Sequence, residues 1–544
     1  MMSGVIHHET RFREGHPISV DGSERWRAAD ALWVIGMLTL WAATTSAFWI
    51  GYTGADDVFY SRYALHYNRP PINWWEGRML YVLAIRGAFL MFGPTEFAAC
   101  APGLLASLVI VASVAWYVGW PANRGWVPLA SVALAVVLPY NVSFRTVPGA
   151  TFFATGFLAA GSVAVLSERS RTQLLGAALL ALGFAAHEAS FYYIALLCLS
   201  QLVIRGRAAW RPVLACVAFS GLLVAIESAS YAALTGDPWL RFRIAMGESQ
   251  NQHGLYDPDM KIGGLAFLIW PLKSALFCKP FGFALVLLFA AGMVAWRRLD
   301  ASARTLWLAM FLTWLWLGYG TKIPWSYKPF ARQHHLYFPL AFGAPALLPL
   351  CLRTALPTRE RVAAWIAGLL ILSSLALSAL GGSWGQGFET ARKLLAHARE
   401  HKDRVFLASV STMNHMYVAG GFQLPENVVC LNGEAVERHL LINKEPAGTP
   451  RFRFPERRVD GVLMNKEPEF PLEADPEMDP QYHEFLAGRR GKTIPIPPDR
   501  GPLARLIDWV FPTALPKTSF GGAVLILDGH DSPPRGAGNR AAAP

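Results

Sequence analysis

The sequence predicts an α-helical polytopic membrane protein of about 11 transmembrane helices, followed by a C-terminal α/β extracytoplasmic domain. Three observations carry that prediction. Hydrophobic residues make up 53% of the 544 and charged residues 16%, whereas soluble domains carry roughly 25% charged residues. The net charge of +11 is unevenly placed: residues 1–382 hold 29 Lys/Arg against 18 Asp/Glu, and residues 383–544 hold 20 of each. Apolar runs of span length recur through the first of these parts and stop at its end. The same figures, with a mean hydropathy of +0.29, exclude a disordered, collagen-like or disulfide-framework chain. A basic excess seated in the apolar part argues against a nucleic-acid partner and for arginine anchors on inner loops.

The first run, Ala31 to Ile50, follows a polar tail (residues 1–30) with Arg11, Arg13, Arg25 and Arg27. It starts late, is long and lacks a small-x-small cleavage site, so it reads as a retained helix with a cytoplasmic N-terminus rather than a signal peptide. Further runs fall near 96–118, 126–141, 148–166, 173–186, 189–204, 212–234, 280–296, 305–320, 335–352 and 362–380. The short connections on every second turn carry arginines: Arg124; Arg169 and Arg171; Arg205, Arg207 and Arg211; Arg297, Arg298 and Arg304; Arg353, Arg359 and Arg361. The positive-inside rule assigns these to the cytoplasm. The opposite connections, 51–95, 142–147, 187–188, 235–279 and 321–334, then lie outside, with 51–95 and 235–279 as large outer loops. Residues 31–382 form the membrane domain, and the stretch 263–278 is too interrupted to span and reads as interfacial.

Residues 383–530 read as a mixed α/β domain on the outer face. Strand patterns occur at 405–410, 427–433, 461–465 and 523–529, and helical patterns at 388–401 and 502–511. The last residues, 531–544, are rich in Pro, Gly and Ala and read as disordered. Six cysteines show no CxxC or metal spacing, which argues against a disulfide framework. No GxGxxG, P-loop or internal repeat is evident.

Chemistry collects on the outer connections. Asp56-Asp57 follows the first span. Such a carboxylate can act as a general base on an acceptor hydroxyl or amine, and it can equally cap the helix that it opens. Trp74-Trp75-Glu76-Gly77-Arg78 precedes an amphipathic stretch from Met79 to Phe92. It reads either as an interfacial Trp belt with a surface ion pair or as a substrate-site wall, with indoles on a sugar face and Glu76 or Arg78 on its hydroxyls. His187-Glu188 is a charged pair between two short runs, either a turn or a substrate contact. The loop from Lys322 to Tyr337 holds Lys322, Lys328, Arg332, His334, His335 and Tyr337 against the positive-inside trend. Cations there suit a phosphate head group or anionic lipid, while His334-His335 alone is a weak zinc pattern. Thr235-Gly236-Asp237-Pro238-Trp239 is a turn by composition and brings Arg241 and Arg243 to the same face.

With these residues in place, the chain resembles the GT-C class of membrane glycosyltransferases, near the branch of protein O-mannosyltransferases and lipid A aminoarabinose transferases. The resemblance rests on Asp56-Asp57 with Arg62-Tyr63-Ala64, on the amphipathic stretch ending in Leu90-Met91-Phe92-Gly93-Pro94, on Gly236-Asp237-Pro238, and on the basic loop from Arg332 through Tyr337-Phe338-Pro339 to Pro345. It covers roughly residues 30–380. The resemblance implies an inverting glycosyltransferase that takes sugar from a polyprenyl-phosphate donor on the outer face of a bacterial inner membrane. The acceptor is a lipid, glycan or protein. Asp56, with Asp57, is implied as the catalytic pair. Trp74, Trp75, Glu76, Arg78, His187 and Glu188 are the substrate-binding candidates. Lys322, Lys328, Arg332, His335 and Tyr337 are candidates to hold the lipid phosphate. No cofactor and no metal are expected, and the adjacent Asp56-Asp57 differs from an Asp-x-Asp metal motif. Where the aminoarabinose transferases have a lysine after the fifth span, this chain has His187-Glu188. A transporter or flippase of lipid-linked sugars is the alternative; it requires polar groups near the midplane. An assembly protein acting through its tail domain is a third.

Overall fold

A computed structural model of the chain describes residues 28–52, 56–67, 71, 76–121, 123, 125–244, 281–319, 338–381, 386–429, 459–465, 491–496 and 522–527. Helix dominates its first part. In order these are α1 (Ala28–Ala47), α2 (Asp56–His66), α3 (Met79–Phe92), α4 (Glu96–Val118), α5 (Trp126–Val137), α6 (Pro139–Phe144) and α7 (Ala150–Val165). There follow α8 (Ser170–Ala186), α9 (Ser190–Arg205), α10 (Trp210–Thr235), α11 (Ala284–Ala295), α12 (Ala301–Tyr319), α13 (Leu340–Ala355) and α14 (Glu360–Gly381). Each apolar run read from the sequence falls on a helix, α5 and α6 sharing one run. Among the described residues, three helical stretches are long and apolar enough to cross a membrane: Glu96–Val118, Ser190–Thr235 and Pro357–Ser378. Five further apolar helices, such as Ala150–Val165 and Ser170–Ala186, run 10–17 residues, so these stretches do not by themselves reach the expected count of about 11.

The Ser190–Thr235 stretch reverses at Gly206, whose φ of +57° favours glycine. Arg205 donates to the Leu166 carbonyl at 2.8 Å, and Tyr231 donates to the Gly77 carbonyl at 3.2 Å. The two halves therefore run in opposite directions. Leu32, Val217, Leu222, Trp365, Leu369 and Leu372 are exposed, the pattern of helices that face hydrocarbon instead of water.

Small residues set the closest packing. A Cβ on Gly176 would lie 2.4 Å from the Val165 nitrogen and 2.8 Å from the Gly161 carbonyl oxygen. The glycines thus let α7 and α8 touch backbone to backbone, as membrane helices do. Pro139 interrupts α5–α6: Leu138 leaves the helical region, as a residue before proline tends to. Asn141 fills the break, donating to the Ala135 carbonyl at 2.8 Å and to the Ala341 carbonyl at 3.2 Å.

The connections sort to two ends. At one end Arg298 reaches the Thr354 carbonyl at 3.5 Å and Arg205 bonds Ser302 at 2.6 Å. At the other end lie α2, α3, the α8–α9 link and the C-terminal unit. That unit comprises α15 (Gln386–Glu400), β1 (Phe406–Ala408), α16 (Val410–Ala419), β2 (Val428–Val429), β3 (Gly461–Asn465), β4 (Gly491–Ile496) and β5 (Gly522–Leu527). The sheet order is β2-β1-β3-β5-β4. β1 is parallel to β2 and β3, and β5 is antiparallel to β3 and β4. The Asn427 side chain donates to the Ala398, His401 and Arg404 carbonyls at 2.9, 3.0 and 3.0 Å, closing the end of α15.

The four strand patterns of the sequence fall on β1, β2, β3 and β5, and the 388–401 pattern on α15. Two elements were not foreseen. The 405–410 strand pattern ends early because Ser409 accepts from the Thr412 N–H at 3.1 Å and starts α16. β4 carries Lys492 and Pro495 and is largely exposed, so it has no apolar alternation. The expected helix at 502–511, the interfacial stretch 263–278 and the tail 531–544 lie outside the described residues.

The C-terminal unit is not separate. Tyr52, Tyr60, Tyr81, Ile85 and Phe89 form one buried cluster with Leu394, Met413, Met416, Tyr417 and Phe422. Cys100, Cys198, Cys216 and Cys351 are free thiols; Cys278 and Cys430 lie outside the described residues.

Candidate functional site

The acidic pair opens α2, where the N-terminal helix dipole favours carboxylates. Asp57 faces inward: it is 2% exposed, and its carboxylate accepts its neighbour Val58 N–H at 3.0 Å. Tyr52, outside the membrane-spanning helices, has its hydroxyl pKa pushed well up, by burial first and also by the nearby Asp57 charge. Asp56 begins the same helix; its side chain lies outside the described set.

Arg78 and Glu188, 110 residues apart, meet. Arg78 Nη2 donates to Glu188 Oε1 at 2.5 Å and Nε to Oε2 at 3.1 Å, a two-pronged pair. Arg78 Nη1 donates to the Tyr60 hydroxyl, so the guanidinium joins α2 to the α8–α9 link. Tyr60 in turn stands edge-on to Tyr81 at 4.9 Å.

A second guanidinium joins through the Gly-Asp-Pro turn. Gly236 takes the left-handed conformation (φ +75°) that ends α10. The Asp237 carboxylate then accepts the Trp239 N–H at 3.1 Å and pairs with Arg243. The turn folds the chain back so that Arg241 lies against α10. Arg241 Nη1 donates to Glu227 at 2.7 and 2.9 Å, and Nη2 lies 3.7 Å from Glu188 Oε2. Arg241 also donates to the Phe184 carbonyl at 3.3 Å. The result is an alternating chain, Arg78–Glu188–Arg241–Glu227, in which the two arginine side chains are 5% exposed and Glu188 is 32% exposed. Burial alone would raise the Glu188 pKa. Arg78, His187 and Arg241 outweigh it and hold the carboxyl well below its ordinary range.

His187 is buried beside this chain. The Ala189 N–H donates to its Nδ1 at 3.2 Å, so a neutral ring carries its proton on Nε2. Its ring rests on Phe338 at 5.3 Å. Glu76 is buried at the start of the same wall. The structure therefore brings Glu76, Arg78, His187 and Glu188 to one end of the bundle with Asp57. Trp74, Trp75, Lys322, Lys328, Arg332, His335 and Tyr337 lie outside the described residues, as do His334 and the rest of that loop. Among the described residues, no group of three or more His, Cys, Asp and Glu gathers as a metal would need.

Sequence reasoning missed Tyr60, Glu227 and Arg145. Arg145 is fully buried and ties α1 to α5, donating to Thr44 Oγ1 at 2.7 Å and to the Val136 carbonyl at 3.1 Å. The available signal was position: Arg145 is a cation in the short outer connection 142–147, and Glu227 is the one carboxylate inside the 212–234 run.

Fold and charge layer together define a helical protein with long apolar helices, capped at one end by a polar site and a small α/β unit. No family model matches the chain, and no curated protein matches it. Among solved structures, it is similar to ArnT from Cupriavidus metallidurans in the apo state, at 12% identity and a TM-score of 0.48 over 91% of this chain and 97% of that one. It is also similar to the same protein bound to undecaprenyl phosphate, at 10% identity and a TM-score of 0.47 over the same shares of both chains.

Proposed function

We propose that this chain is an inverting glycosyltransferase of the GT-C type that moves a sugar from a polyprenyl-phosphate donor to a lipid, glycan or protein acceptor. The observation that carries the reading is the placement of the acidic pair: Asp56-Asp57 opens α2 at the end of the bundle that gathers the charge layer. Apart from Asp30, every buried charged residue of the described helical part belongs to that end. This weighs against a transporter, which needs polar groups at the midplane.

In the proposed topology residues 1–30 are cytoplasmic, residues 31–382 span the inner membrane about 11 times, residues 383–530 form a periplasmic domain, and 531–544 trail from it. Asp57, buried, is the structural member of the pair, and Asp56 the reacting one. The Asp56 carboxylate takes the proton of the acceptor hydroxyl or amine. The freed electron pair attacks the anomeric carbon from the face opposite the phosphate. The carbon–oxygen bond to the phosphate breaks, and polyprenyl phosphate leaves with the bond's electron pair. Lys322, Lys328 and Arg332, with His335 and Tyr337, meet that growing negative charge. Trp74 and Trp75 stack on the sugar, Glu76 and His187 bind its hydroxyls, and the Arg78–Glu188 pair gives the wall its rigidity.

In proteoliposomes, Asp56→Asn should lower sugar transfer from a polyprenyl-phosphate donor by about 10²–10⁴-fold, the usual contribution of a general base, with insertion and thermal stability unchanged. Full transfer by that variant would overturn the assignment of Asp56.

A further inference from the structure

Glu96, at the start of α4, shares its carboxylate between two distant parts of the chain. Oε1 accepts from Trp49 Nε1 at 2.8 Å. Oε2 pairs with Arg392 Nη1 at 2.5 Å. Trp49 stands on the link between α1 and α2, and Arg392 on α15 of the C-terminal unit. The pair is partly dry, with side-chain exposures of 34% and 16% for Arg392 and Glu96, and the guanidinium donates a charge-assisted bond to the carboxylate.

The same short link is held at every residue from 49 to 52. The Ile50 N–H donates to Thr146 Oγ1 at 3.1 Å, and the Gly51 N–H to the Thr146 carbonyl at 3.0 Å. Gly51 has φ +76°, and a Cβ there would lie 2.4 Å from the Glu96 carboxyl. Only glycine lets that carboxylate close over the link. Tyr52 meets Phe422 of the C-terminal unit edge-on at 6.4 Å. The turn before Phe422 lies against α4's approach: a Cβ on Gly421 would sit 2.6 Å from the Pro94 carbonyl oxygen. Asp56 follows Tyr52 by four positions in the chain.

We propose that the C-terminal α/β unit serves as a positioning device, which fixes the link that carries Asp56 through the Trp49–Glu96–Arg392 relay and the Tyr52–Phe422 contact. Glu96 and Arg392 are positioning residues; they act through the link and touch no substrate. The catalytic consequence rests on the transferase reading above, whereas the mechanical one does not.

The test uses the full chain in nanodiscs, with hydrogen exchange and transfer kinetics on each variant. Arg392→Glu sets two carboxylates against each other. Exchange of the Ile50–Tyr52 amides and of α2 should quicken about tenfold, as expected from loss of a charge-assisted bond, while α7 and α8 keep wild-type protection. Arg392→Lys should restore protection. With donor and acceptor, Arg392→Glu should lower kcat about tenfold and leave the donor KM unchanged, and Arg392→Lys should recover kcat. Trp49→Phe removes the N–H donor alone and leaves the C-terminal unit intact, so it should loosen the same amides even if Arg392→Glu fails to fold. Unchanged exchange at 50–66 in Trp49→Phe, or in a folded Arg392→Glu, would overturn the proposal. So would a kcat that is normal while those amides are loose. Loosened amides in a chain whose wild type transfers no sugar would support the mechanical part and sink the transferase reading instead.

Discussion

At the scale of single residues, the informative feature is an alternating row of charges on a largely dry wall. Removing one partner from such a row leaves the other charge buried without compensation, which costs roughly 3–5 kcal/mol. Arg241→Met should therefore destabilise the protein by about 3 kcal/mol, measured as chemical unfolding in detergent micelles, because Glu227 loses both of its hydrogen bonds to Arg241. Glu188 gives a pH signature. Its folded pKa is depressed by Arg78, His187 and Arg241 in spite of burial. The stability it contributes is thus complete above its unfolded pKa of about 4.3 and is lost as pH falls through the lower folded value. The stability gap between wild type and Glu188→Gln should be constant from pH 7 to about 5 and shrink below about 4, as thermal melts across that range would record. Arg78, His187 and Glu188 stood out in the sequence as charged residues beside apolar stretches, because an ionisable group at membrane depth is costly. That Arg78 and Glu188 serve each other was not legible: the partners lie 110 residues apart, and no periodicity links them. Glu227 was hidden for the opposite reason. One carboxylate in a long apolar run barely alters its hydropathy.

At the scale of elements, helix positions followed from apolar run length, and the described structure puts a helix on every run. The backbone contact between α7 and α8 was not foreseeable from run length, since Gly161 and Gly176 are two among 47 glycines. Gly176→Ala would place a Cβ 2.4 Å from a backbone nitrogen. Such overpacking costs about 1–3 kcal/mol, so the melting temperature should fall, whereas Gly36→Ala, inside α1 with nothing within 4 Å of its Cβ, should hold or raise it, because alanine favours helix. The strands divide by burial in the same way. β1, β3 and β5 lie inside the sheet and are apolar, β2 at one border is apolar and buried, and each was readable. β4 lies at its border and carries a lysine and a proline, so neither composition nor alternation marked it.

At the scale of the whole molecule, the decisive quantity was the partition of charge. The first 382 residues carry the entire excess, and the connections separate into an end of short arginine-bearing links and an end of longer connections that bears the site. If the short arginine-bearing links face the cytoplasm, an epitope inserted at residue 535 should be cut by protease added to intact spheroplasts. Protection of that epitope would reverse the side assigned to every connection. What composition left blank was the purpose of the last 160 or so residues, because docking depends on surfaces drawn from both halves of the chain: the aromatic face of α2 and α3 and the inner faces of α15 and α16. The border strand of the sheet has a further consequence, for crowding. An exposed strand invites a neighbouring copy to zip alongside it and seed aggregates. Here the inviting edge is spoiled from within: Pro495 offers no N–H, and Lys492 would set like charges side by side. Of the two border strands of the described sheet, β4 is thus a poor template for the strand of a neighbouring copy.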